Sequence, residues 1–112
     1  METVFDTDSA LERVEGDMPL LLLLADIFRQ NAAGWMAEIK VAEMHGDADT
    51  LEAVAHSLKG AAGNLGAVAV CAAAESLELV AASGDIAGCT ALVEDLAAHM
   101  RSLDVALGEL LA

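Results

Sequence analysis

The chain has 112 residues, enough for one domain, and carries 5 Lys and Arg against 19 Asp and Glu, for a net charge of −14. Apolar residues make up 56%, aromatic residues 3%, and there is a single proline, which together exclude intrinsic disorder. The acid excess speaks against nucleic acid, whose phosphates are met by Lys and Arg, and equally against an anionic membrane surface.

Ala, Leu, Glu and Met dominate, while β-branched and aromatic residues are scarce, so helix is predicted throughout. A short helical turn over about 8–14 opens the chain. Gly16 ends it, and Asp17 caps a long helix over 17–45 with Pro19 in its first turn, where a missing N–H does no harm. His45-Gly46 closes that helix, and Asp47 or Asp49 caps the next, over 47–65, which stops at Gly66. A third long helix spans 67–83 and ends at Ser83-Gly84. Asp85 then caps the last, over 85–111. Links this short make neighbours antiparallel, so the expected fold is all-α: an up-down-up-down four-helix bundle with the short extra turn at its N-terminus. Leu20, Leu24, Ile27, Met36 and Ile39 are the expected core stripe of the first long helix; Leu92, Leu96, Leu103 and Leu107 are that of the last.

The longest apolar run, Met18 to Ala25, falls far short of the about 20 residues a membrane-spanning helix needs. Glu12, Glu15 and Asp17 precede it where a secretory signal would place basic residues. No membrane insertion and a cytoplasmic location are therefore expected. Cys71 and Cys89, 18 positions apart and without a C-x-x-C, are read as two buried small hydrophobes in a reducing compartment.

The helix after Asp47 carries the informative pattern. At about 100° per residue, Leu51, Val54, Ala55, Leu58, Ala62 and Leu65 form one apolar stripe. His56 falls nearly opposite, and Lys59, Gly60 and Gly63 at i+3, i+4 and i+7 share its face. Each of these glycines costs about 1 kcal/mol against alanine in a helix interior, and alanine is abundant in this chain. Leaving Cβ off beside a histidine suits the close approach of something large to the ring.

The segment His56-Ser57-Leu58-Lys59-Gly60-Ala61-Ala62-Gly63-Asn64-Leu65-Gly66 resembles the H-x-L-K-G-x-x-x-x-x-G signature of histidine-containing phosphotransfer (HPt) domains of multistep two-component signalling. The resemblance runs from about Val4 to the C-terminus. It takes in Phe5-Asp6, Ala10-Leu11, the Leu-rich first long helix ending in Phe28, Gly46-Asp47, and Leu77-Glu78 followed by Gly84-Asp85. It implies that His56 accepts a phosphoryl group from one receiver-domain aspartate and passes it to another. The partners implied are response-regulator receiver domains and a hybrid sensor histidine kinase, and the opening before the first long helix looks more like the C-terminal HPt domain of a hybrid kinase than a chemotaxis kinase's leading domain.

The chemistry agrees with that implication. Imidazole keeps a lone pair near neutral pH, and phosphoryl transfer asks mainly for positioning and charge neutralisation. Lys59 is placed to meet a phosphoryl oxygen, and Gly60 and Gly63 to admit the receiver. No nucleotide-binding loop, metal site or hydrolytic base is evident, so no cofactor is expected and the receiver brings the Mg²⁺. Glu52, one turn before His56, is within reach of the ring, but an unpaired surface carboxylate is the preferred reading. Glu75 and Glu78 are read as solvated helix surface, because a carboxylate beside a phosphoryl group repels it.

The other candidates read as structural. His45 sits at a helix C-terminus, where a cationic ring suits the dipole. His99 follows Asp95 at i+4 as a surface pair, and neither this pair nor Glu52–His56 has the Glu-x-x-His spacing of a di-iron bundle. Phe28 and Trp35 lie seven apart on one face as core filling, with the tryptophan a possible border of a docking surface. The competing functional reading is a non-catalytic adaptor or dimerisation bundle that uses the apolar first helix.

Overall fold

A computed structural model describes residues 5–112; Val4, where the resemblance begins, lies outside them. Five helices follow in order: α1 (Thr7–Arg13), α2 (Met18–Met44), α3 (Ala48–Leu65), α4 (Val68–Ala82) and α5 (Ile86–Leu111). No strand occurs among the described residues. The long helices touch as a ring, α2 against α3, α3 against α4, α4 against α5 and α5 back against α2, which is the up-down-up-down bundle. At 1.5 Å per residue the 27 residues of α2 reach about 40 Å. That matches the 41 Å long axis of the molecule.

Aspartates start four of the five helices. Asp6, Asp17, Asp47 and Asp85 accept hydrogen bonds from the backbone N–H groups of Ser9, Leu20, Thr50 and Gly88, satisfying donors that have no partner inside the helix. Asp47, the first of the two expected caps, also accepts the Thr50 hydroxyl at 2.6 Å, and these bonds hold its carboxyl below the usual carboxylate range. Gly16, Gly46, Gly66 and Gly84 all take positive φ at the turns. A Cβ at Gly66 would stand 2.8 Å from Nε of the flexible Arg13 side chain, so α1 lies close over the end of α3.

The core follows the expected stripes on α3 and α5. Leu51, Val54, Ala55, Leu58, Ala62 and Leu65 are buried, as are Leu96, Leu103 and Leu107, with Leu92 partly so. On α2 the register differs. Leu20 and Ile27 are exposed, Leu24 and Met36 are only partly buried, and Leu21, Ala25, Phe28, Ile39 and Ala42 face the core. Residues 20–24 are all leucine, so the local pattern has no polar side to mark, and the neighbouring helices set the rotation. Phe28 and Trp35 meet edge to face with ring centroids 5.4 Å apart. Cys89 is buried, which pushes its thiol pKa up. Cys71, expected to be buried, is only half-buried in the α3/α4 seam, and the two thiols are not joined. No helix of the described residues is long and apolar enough to cross a membrane.

Candidate functional site

The N-cap at Asp47 and the buried stripe of α3 fix the rotation of that helix, and together they turn His56 outward. Its side chain is 69% exposed. Gly60, one turn on, is also exposed, and a Cβ built there would meet nothing within 4 Å. Nothing in the domain's own packing requires that glycine. Gly63 sits further round than the wheel suggested. It is half-buried at the edge of the α3/α4 seam, and a Cβ there would make an ordinary 3.9 Å contact with Sγ of Cys71.

The decisive contact comes from α4. Oε2 of Glu78 lies 2.6 Å from Nδ1 of His56, and Nζ of Lys59 donates to Oε1 of the same carboxylate at 2.6 Å. Glu78 is therefore bonded at the site and mostly covered, at 16% side-chain exposure, where solvated surface was expected. The expectation failed because it weighed the carboxylate only against a phosphoryl group. A carboxylate on the Nδ1 side of the ring, neutralised by an ammonium, does not face the Nε2 side at all. His56 and Lys59, about one turn apart on α3, meet a single carboxylate from α4, a pairing across the seam that no single helix contains.

Lys59 first, and His56 second among the bonding groups, hold the Glu78 carboxyl below its usual range, and Glu78 raises the Lys59 ammonium in turn. An ionised carboxylate has no proton to give, so Nδ1 of His56 is the donor and carries the hydrogen. The lone pair of the neutral ring is then at Nε2. Lys59 keeps two of its three N–H donors for another acceptor.

The remaining candidates stay apart from this cluster. No hydrogen bond among the described residues joins Glu52 to His56, and Glu75 is an exposed charge that acts on Lys59 only through space. His45 is the exposed C-cap residue of α2. His99 pairs with Asp95 at 3.5 Å, as its i+4 spacing predicts. Beside the exposed face of α3, Leu24, Ile27 and Trp35 of α2 border a small cleft with Ala61 and Asn64. The tryptophan thus both packs against the core and edges the surface beside Ala61 and Asn64.

The site thus presents an exposed histidine on a bundle helix, held by a carboxylate and flanked by a lysine and a bare backbone. The family model of the Hpt domain matches residues 23–108, and the chain belongs to that family: it is a histidine phosphotransfer module of two-component phosphorelays, a carrier rather than a kinase. The fold is shared with the histidine-containing phosphotransfer protein B (HptB) of Pseudomonas aeruginosa PAO1, with a TM-score of 0.87 at 24% identity over 97% of this chain and 95% of that one. No curated protein matches the chain in sequence. An adaptor without phosphoryl chemistry is not favoured.

Proposed function

We propose that His56 is the phosphorylated residue and that the bond forms at Nε2. The observation that carries this reading is the 2.6 Å contact between Nδ1 and Glu78 on a ring that is 69% exposed. The Nε2 lone pair attacks the phosphorus of a receiver's aspartyl phosphate, the P–O bond to the aspartate breaks, and the aspartate leaves as a carboxylate. Nδ1 retains its proton, so the product ring is cationic, and Glu78 balances that charge. Lys59 reaches a phosphoryl oxygen with a free N–H donor while still bonded to Glu78. Gly60 lets the receiver's backbone close on the ring, and Gly63 widens the same approach at the seam. The receiver supplies the Mg²⁺, because the chain's own contribution is a nucleophile and two neutralising charges.

The donor in this reading is the receiver domain of a hybrid sensor histidine kinase, and the acceptor is a response-regulator receiver, all in the cytoplasm. What supports the hybrid kinase is the likeness of the segment before α2 to the opening of such kinases' HPt domains. Incubating the chain with a phosphorylated receiver is expected to label it with acid-labile, alkali-stable phosphate, and His56→Gln to abolish the label. Label that persists in His56→Gln would move the acceptor elsewhere.

A further inference from the structure

The seam between α2 and α5 lies across the ring of helices from the α3/α4 seam that holds His56, Lys59 and Glu78. It opens into a groove of about 570 Å³. Arg29 and Lys40 on α2 and Arg101 on α5 line it, three of the chain's 5 basic residues. Asp104 is the one acid in the lining, so the groove carries +2 (three cations less one carboxylate) in a molecule of −14. Nε of Arg29 donates to Asp104 at 2.9 Å. Lys40 and Arg101 have no carboxylate at ion-pair distance among the described residues.

The floor between these cations is apolar. Met100 and Ala97 are buried, Met36 is half-buried, and Val105 is 63% exposed at the α5 rim. Methionine adapts its shape to what it meets, which suits a site that receives a side chain rather than one filled from within. From Arg29 to Lys40, α2 rises about 16 Å, room for about three turns of a helix laid along the seam. The described residues offer no strand edge for strand addition, and a straight apolar floor between two parallel-running rims suits a helix laid in a groove.

We propose that this groove docks an amphipathic helix of a partner protein whose apolar stripe is flanked by Asp and Glu. Charge selects the occupant. A basic helix would meet two unpaired cations, and a second copy of the chain would bring −14 against −14. Docking there is independent of which residue carries the phosphoryl group. It also leaves the His56 face open, so the partner and a receiver bind at the same time.

The test titrates the whole protein with a synthetic peptide of about 14 residues (about four helical turns), Leu on one stripe and Glu on both flanks, followed by NMR of the methionine methyls, the backbone amides and the histidine rings. The expected result is saturable movement of the Met36 and Met100 methyls with the His56 ring signals unmoved. Lys40→Glu combined with Arg101→Glu should weaken binding roughly tenfold, as loss of complementary charge at a binding rim does. Arg101→Gln, a milder change, should weaken it in the same direction and guards against misfolding of the double variant. The proposal is overturned by an absence of saturable shifts, by equal affinity for a peptide with Lys in place of Glu, or by shifts centred on α3 and α4. Unchanged binding in Arg101→Gln overturns it too, as does a concentration-dependent mass without peptide, which would give the groove to a second copy.

Discussion

Glu78, one turn short of the end of α4, sets the proton position on a histidine of the neighbouring helix. The expected consequence is visible by ¹⁵N NMR: near neutral pH the His56 ring carries its hydrogen on Nδ1, and in Glu78→Ala that preference is lost. Phosphoryl transfer in Glu78→Gln should slow by about tenfold, the lower end of what removing an orienting partner costs a histidine ligand. A rate equal to wild type would remove Glu78 from the chemistry. Stability carries the same signature. Because the folded-state pKa of Glu78 lies below its unfolded value, its bonds stabilise the fold above the ordinary carboxylate range, and that contribution is lost as pH falls through the lower, folded value. The gap in thermal midpoint between wild type and Glu78→Gln should therefore close on acidification. A gap that widens toward low pH would reverse the assignment.

Among the helices, α3 separates the demands of folding from those of the relay. A Cβ at Gly60 meets nothing within 4 Å, so Gly60→Ala is expected to stabilise the fold by about 1 kcal/mol, a rise of roughly 4 °C in the thermal midpoint. Gly34 on α2, equally open, serves as the control and should give a similar rise. Only the first substitution should slow transfer, and Gly60→Glu should block it by bulk and charge. If Gly60→Glu transferred at the wild-type rate, the close approach of the receiver would be wrong. Gly88 behaves differently, since its added Cβ would collide with the Asp85 carboxylate that caps α5 and stand 3.2 Å from Cγ1 of Val80. There the gain in helix propensity is offset by a displaced cap, so Gly88→Ala should leave the midpoint unchanged or lower it.

The same contrast explains which parts of each helix were legible in advance. On α3 the cap, the apolar stripe and the terminal glycine agree with one another, and His56 emerges on the exposed face they leave. On α2 five consecutive leucines erase the polar side, so Leu20 and Ile27 were assigned to a core they do not enter. Gly63 was placed on the open face by helical angle alone, whereas α4 covers part of it.

At the scale of the molecule, −14 is a long-range quantity and Lys59–Glu78 a local one. A receiver with a basic docking rim is steered by the former, so the second-order rate of transfer should fall severalfold as salt rises from roughly 10 mM to 150 mM. The lifetime of the phosphohistidine, which depends on the local charges, should not follow. A transfer rate insensitive to salt would remove steering from the account. Composition, three aspartate caps and turn glycines were enough by themselves to determine the long helices, their antiparallel order and the outward histidine, because each of those follows from interactions within a few residues of chain. Which leucines of α2 face inward, which carboxylate holds His56 and where the cations gather were decided only when the helices met, because each depends on pairing residues from different helices, such as Lys59 with Glu78 and Lys40 with Arg101.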